Sequence, residues 1–410
     1  MVTAAWVTPF PPDRNGGGGQ IRQAHLLLGL AERARIHLLC PGPVEDPAVR
    51  AAVAELTEVP APGTARRDEH PWLRRAGDLL AVARSAQPLE VRAFAPYRQA
   101  LLPQLTRVTE GSDVVLVEYA GLAPLLGARG SGPWLLTLHN LPSRMAAQRA
   151  AVLPHRRQRW LSRRDAHLAA EFERDAVADF DATVVCTAAD AAALASGRYD
   201  AVAPPLVVPN GVDVGRFQPT PVPAAPRVVF TGALDTTPNA DGALWFCQSV
   251  LPLVRAKLPG VQVDLVGARP GTDVLALGAL PGVSVHPDVA TVEPFLAAGR
   301  VAVVPMRIGS GSRLKALEAL AAGRPVVGTS IGLEGLDLRP GHEVLVADQQ
   351  ADFAAAVVRL LGDDALAARL ASAGRSVACA RFDWTPIATA FAQSVIDLAH
   401  PGADPSRVRA

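Results

Sequence analysis

The residue types best suited to chemistry lie together in one stretch, Pro305-Met-Arg-Ile-Gly-Ser-Gly-Ser-Arg-Leu-Lys-Ala-Leu-Glu-Ala-Leu-Ala-Ala-Gly-Arg-Pro-Val-Val327. Val301–Val304 reads as a strand, the Gly/Ser segment as a loop, Ser312 as a helix cap and Gly323 as that helix's end. Such a loop aims backbone N–H groups and the positive end of a helix at one point, which makes an anion site. Lys315 falls in the first helical turn and Glu318 three residues later, so both share a face beside that point. A lysine there opposes the helix dipole, a cost that a bound anion removes. Arg307 and Lys315 can neutralise a departing diphosphate while Glu318 accepts hydrogen bonds from ribose hydroxyls. The plainer reading is a surface pair worth about 0.2–0.5 kcal/mol. Lys315 stands out further because the 40 basic residues include only one other lysine, Lys257.

A second constellation lies in the first half. Gly17, Gly18 and Gly19, in the run Gly16–Gly19, separate the first strand from the first helix and suit a phosphate-binding turn; a flexible surface turn is the alternative. A dinucleotide fingerprint needs a third glycine where Ile21 stands and an acidic residue after the second strand, which ends Leu38-Leu39-Cys40-Pro41, so an NAD role is disfavoured. Trp134-Leu-Leu-Thr-Leu-His139-Asn140 puts a histidine at a strand end, where a satisfied imidazole is the usual alternative to a working one. Glu118-Tyr119 ends the preceding strand in the same way, within reach of an acceptor.

The elements that must position these residues alternate from end to end. Short β-rich runs (AAWVTPF, RIHLLC, DVVLVEY, WLLTLH, ATVVC; then RVVFTGAL, VQVDLVG, VSVHPD, VAVVP, PVVGT) are separated by Ala/Leu-rich helical stretches. This pattern predicts an α/β fold with parallel sheets covered on both faces. At 410 residues the chain fits two Rossmann-like domains facing an interdomain cleft. The expected division is 1–217, a proline-rich linker over 218–226, and 227–383, with a last helix near 384–400 returning to the first domain.

Composition excludes several classes. No apolar run reaches the roughly 20 residues of a membrane span, and the N-terminus lacks a basic segment ahead of an apolar one, so a cytoplasmic protein is expected. Cys40, Cys186, Cys247 and Cys379 are too scattered for a zinc site or a disulfide framework. A formal net charge of +1 argues against nucleic acid as a partner. The stretch Arg144–Arg174 carries eight arginines against Asp165, Glu171 and Glu173; it reads as a solvated helix face, with peripheral contact to anionic lipid or an acidic acceptor as the alternative.

Gly309 to Val327, with Val208-Pro-Asn-Gly-Val-Asp213, Phe230-Thr-Gly-Ala-Leu234, Pro238-Asn239 and Gly335-Leu336, resembles the family 4 retaining glycosyltransferases of the GT-B group, most closely bacterial sugar transferases of polysaccharide or natural-product pathways. The resemblance implies sugar transfer with retention from a nucleotide-diphosphate sugar to an acceptor hydroxyl, with no metal and no other cofactor. It assigns catalysis to His139, Arg307, Lys315 and Glu318, and donor contacts to the glycine turn, Asn140, Gly232, Ser310, Gly311 and Ser312; acceptor contacts fall to Glu118 and Tyr119. Three positions depart from the family pattern. The first glutamate of its E-x7-E pair is Ser310, and the Arg and Lys that follow the first strand of the second domain are Ala233 and about Pro238, which leaves donor choice open. A nucleotide-sugar epimerase or phosphorylase of the same fold, and a non-catalytic nucleotide-sugar binder, are the rival readings.

Overall fold

The computed structural model describes residues 1–62, 85–130, 132–195, 204–311 and 313–400, and every structural statement below concerns these. They fall into two compact units: the described residues up to Pro209 together with those from Trp384 onward, and Asn210–Asp383.

The first unit is built on seven parallel strands: β1 Val2–Val7, β2 Ala34–Pro41, β3 Glu55–Val59, β4 Val114–Glu118, β5 Trp134–Leu138, β6 Ala182–Val185 and β7 Leu206–Val207. Their order is β3-β2-β1-β4-β5-β6-β7. β4 and β5 are buried along their whole length, as a sheet covered on both faces requires. The order turns back between β1 and β4, and ligands of such sheets gather beyond the carboxyl ends of strands at that switch. The glycine run follows β1, Tyr119 follows β4 and His139 follows β5. Helix α1, Gly18–Ala31, continues from the glycine run, and α2, Pro142–Val152, and α3, Arg156–Asp179, follow β5. The last helix, Trp384–Ala399, packs on α1: Trp384 stacks on His25 with ring centres 5.0 Å apart, and Phe391 meets Trp6 edge-on at 6.1 Å.

The second unit holds six parallel strands: β8 Arg227–Thr231, β9 Gln262–Gly267, β10 Val283–Pro287, β11 Val301–Val304, β12 Val326–Gly328 and β13 Leu345–Val346. The order β10-β9-β8-β11-β12-β13 repeats the same reversal, here between β8 and β11. Helix α4, Thr237–Trp245, follows β8, and α5, Leu314–Ala321, follows β11.

One expectation is corrected. The proline-rich stretch 218–226 belongs to the second unit, and the boundary falls earlier, between Pro209 and Asn210. The fully buried Arg324 donates to the carbonyls of Thr220, Pro221 and Gly299, and Arg300 donates to Pro223 O at 2.9 Å. Proline removes donors from a segment but leaves its carbonyls available, and guanidinium groups take them here. The chain also enters and leaves this unit side by side: Val212 N donates to Phe382 O at 2.7 Å, and Val212 pairs with Asp383 in a parallel bridge.

Candidate active site

In the first unit the glycine run is an ordered turn. Gln20 Oε1 accepts from Gly17 N at 3.1 Å, and Gln20 Nε2 donates to Pro11 O at 2.9 Å. Gly17 caps α1, and Gly18 and Gly19 form its first turn. Gly19 has to be glycine for a local reason: a β-carbon there would stand 1.9 Å from the Tyr119 hydroxyl and 3.5 Å from His139 Nδ1. Tyr119 adopts φ 72°, rare for a large side chain, and its ring stacks on the His139 imidazole with centres 4.0 Å apart and planes 14° from parallel. His139 Nε2 lies 2.6 Å from Glu118 Oε2, with both residues buried.

Burial lowers the pKa of His139, which the bond to Glu118 partly offsets and Arg22 reinforces; burial, with Glu118 and Glu90 nearby, raises that of Tyr119. Glu118, at 1% exposure, is therefore a partner of His139 and not an open acceptor contact. Tyr119 is half-buried against that histidine, while Asn140 is exposed beside it. Sequence reasoning passed over Arg22, whose guanidinium, 1% exposed on α1, donates to Val208 O at 2.8 Å and Pro209 O at 3.0 Å. A charged residue among the leucines of α1 was its only signal.

The second unit gathers the other predicted residues where β8 and β11 end. Lys315, in the first turn of α5, donates to Asn239 Oδ1 on α4, lies 3.8 Å from Met306 Sδ and stands 4.5 Å from the centre of the Phe230 ring. Asn239 Nδ2 donates in turn to Ala233 O at 2.8 Å. Gly232 forms the floor: its φ is 151°, and a β-carbon would meet Lys315 Nζ at 2.7 Å and Asn239 Nδ2 at 2.9 Å. Burial foremost, with Arg313 close by, brings the Lys315 ammonium down to about 7 against the pull of Glu318.

Helix α5 begins at Leu314, with Arg313 at its cap position, one residue later than the sequence suggests; Ser312 lies outside the described residues. The Arg313 guanidinium folds back over the loop and donates to Ser310 O at 2.5 Å. A β-carbon at Gly309 would strike it. Ser310 is completely buried and Gly311 is buried with φ 74°. Arg307 does not project freely: it forms a two-pronged pair with Asp241, at 2.6 and 3.0 Å, and stands 5.8 Å from the Trp245 ring.

Glu318 sits one turn along α5. Burial pushes its carboxyl up to about 7, against Arg216 and Lys315, with Glu293 adding to the rise. Arg216 was not foreseen. It pairs with Glu293 at 2.5 Å, and Asp213 Oδ1 shapes the turn that presents it by accepting from Gly215 N at 3.0 Å and Arg216 N at 2.8 Å. Its signal was its place three residues after Asn210-Gly-Val-Asp213.

Residues 225–363 match the family model described as glycosyl transferases group 1. The second unit is a group 1 glycosyl transferase domain. The chain is 32% identical over 239 residues to D-inositol 3-phosphate glycosyltransferase of Geodermatophilus obscurus, spanning 52% of this chain and 51% of the relative. It is 30% identical over 232 residues to glycogen synthase of Mycobacterium tuberculosis, spanning 53% and 54%. The chain thus spans about half the length of these relatives, and 36% of a 44.6 kDa protein in the cps region of Klebsiella pneumoniae that it also matches.

Among solved structures it is similar to sucrose-phosphate synthase from Thermosynechococcus elongatus, with TM-score 0.71, 18% identity, and 96% and 98% of the two chains covered. It is also similar to Anabaena HepE, solved in complex with UDP and glucose, with TM-score 0.64, 15% identity, and 97% and 100% covered. These likenesses give the fold, GT-B, with two parallel-sheet domains. In the second unit, Gly232 follows β8, Ser310 and Gly311 lie in the loop after β11, and Lys315 and Glu318 lie on α5 beyond it, whereas Arg307 is held by Asp241. Among the described residues no three His, Cys, Asp or Glu side chains are grouped to hold a metal ion, and no helix is long and apolar enough to cross a membrane.

Proposed function

We propose that the chain is a glycosyltransferase that moves a hexose from a nucleotide-diphosphate sugar to an acceptor hydroxyl, with retention of anomeric configuration and without a metal ion. One observation carries this reading: the ammonium of Lys315, the glycine-lined loop before α5 and the glycine floor at Gly232 converge at the strand reversal of the group 1 domain. A buried ammonium held near neutrality by its surroundings regains its full charge when a dianionic group arrives, so it favours a diphosphate over neutral ligands. The amides of the loop and the dipole of α5 add to this, and together they stabilise the charge that grows on the diphosphate as the glycosidic bond stretches. Glu318, one turn away, accepts from the ribose. His139 and Asn140 of the first unit address the sugar hydroxyls, and the acceptor oxygen attacks from the face the diphosphate leaves. Cationic side chains in the role of a metal, retention, membership of family 4 and a cytoplasmic setting all belong to this proposal.

The test is direct. Thermal shift against UDP, GDP, ADP, CMP and dTDP should single out one base, since a ligand at 100 times its Kd adds about 2.7 kcal/mol. Sugar transfer from the matching donor should then survive EDTA, and NMR of the product should show the donor's anomeric configuration. Absence of a shift with every nucleotide would overturn the reading; epimerised donor or phosphate-dependent cleavage would replace it with one of its rivals.

A further inference from the structure

Helix α3 begins with a charge distribution unlike the rest of the chain. Residues 155–164 read His-Arg-Arg-Gln-Arg-Trp-Leu-Ser-Arg-Arg, with five arginines and no acidic residue. Two arginines just ahead of it are engaged: Arg144 pairs with Asp190 at 2.7 Å, and Arg149 with Asp165 at 3.0 Å. At the start of α3, Arg159 turns back onto the carbonyls of Leu153 and Pro154. Among the described residues Arg156, Arg157, Arg163 and Arg164 make no ion pair or hydrogen bond. Between them stands Trp160, 56% exposed. Positions 156, 160 and 163 recur at helical spacing, so guanidinium, indole and guanidinium form one row along the exposed face, with Arg157 and Arg164 flanking it. The opposite side, Leu161, Asp165 and Ala169, is buried.

We infer that this face rests on a bilayer surface containing anionic lipid. Unpaired guanidinium groups match lipid phosphates in fork geometry, and an exposed indole, apolar in body with one N–H, suits the headgroup boundary better than open water. A soluble polyanion would use the arginines but leave the indole without an apolar environment. Since a basic side chain near an anionic leaflet adds about fivefold to partitioning, four act together over several hundredfold, within a Debye length of about 10 Å at 0.1 M salt.

Sedimentation of the full chain with vesicles of phosphatidylcholine, alone or with one quarter phosphatidylglycerol, tests this. The expected result is binding to the mixed vesicles, none to the neutral ones, and loss of binding near 0.5 M salt. Replacing Arg156, Arg157, Arg163 and Arg164 together by Gln should weaken binding at least a hundredfold. Trp160→Ser should weaken it about tenfold and leave the salt dependence unchanged, with circular dichroism and Tm matching the parent in both variants. Failure of the parent chain to bind mixed vesicles, equal binding by the fourfold variant, or equally tight binding of soluble heparin would each overturn the inference.

Discussion

In the first unit, Nε2 of His139 and Oε2 of Glu118 stand 2.6 Å apart, both side chains buried. A carboxylate can only accept, so the Nε2 proton points to Glu118, and Nδ1, which faces Gly19, is the acceptor nitrogen of the neutral ring. Glu118 is on this account a positioning residue. In Glu118→Gln the amide can also donate, so the other tautomer becomes populated, and transfer should fall about ten- to hundredfold, as when other groups that orient a histidine are lost. Nitrogen chemical shifts of labelled imidazole should show the Nε2–H form in the parent and a mixture in the variant. Unchanged tautomers would refute the assignment even if activity fell.

Replacing Lys315 by Met should abolish the thermal shift given by nucleotide while raising the Tm measured without nucleotide, by about 2 °C. A lysine whose folded pKa lies near 7 costs stability wherever it is charged, so stability is lost as pH falls from its unfolded value through 7. Met matches the stem and omits the charge. Calorimetry with and without nucleotide separates the two effects.

Donor affinity should weaken as pH rises through 7. Lys315 loses its proton in that range and Glu318 gains a negative charge in the same range, so both changes disfavour a diphosphate. Each proton contributes up to about tenfold per pH unit. Titration calorimetry from pH 6 to 9 should give a slope that becomes shallower in Glu318→Gln; a flat profile in the parent chain would exclude both groups from the anion site.

Gly19→Ala should destabilise the first unit by about 1–3 kcal/mol, because the new methyl meets the Tyr119 hydroxyl. Tyr119→Phe on the same chain should recover part of that loss, since it removes the nearest atom. Denaturant melts of the two single variants and the double variant give the coupling energy, and strict additivity would show that the contact is not the cause.

Much of this organisation was legible in sequence because parallel strands buried on both faces are written as apolar runs. β4, β5 and β8 are such runs; β3, Glu55-Leu-Thr-Glu-Val59, lies at a sheet edge and alternates with polar residues, while β7 and β13 are only two residues long, and none of the three announced itself. The anion loop was legible because Gly, Ser and Lys at those spacings combine local backbone demands with a charge. Its partners were not. Arg216 reaches Glu293 and the field of Glu318 across 77 and 102 positions, and Asp241 captures Arg307 across 66, contacts that depend on how strands are ordered and leave no mark on local spacing. Prolines at 219, 221, 223 and 226 suggested a linker for the same reason: the guanidinium groups that bind their segment arrive from 300 and 324.

The parallel bridge between Val212 and Asp383 has a consequence for how such chains diversify. Two crossings that lie together let the intervening segment behave as a cassette with a common doorway. Recombination at Asn210 and Asp383 can exchange this segment without cutting through its hydrophobic core, and laboratory chimeras cut at those two positions inherit the same advantage.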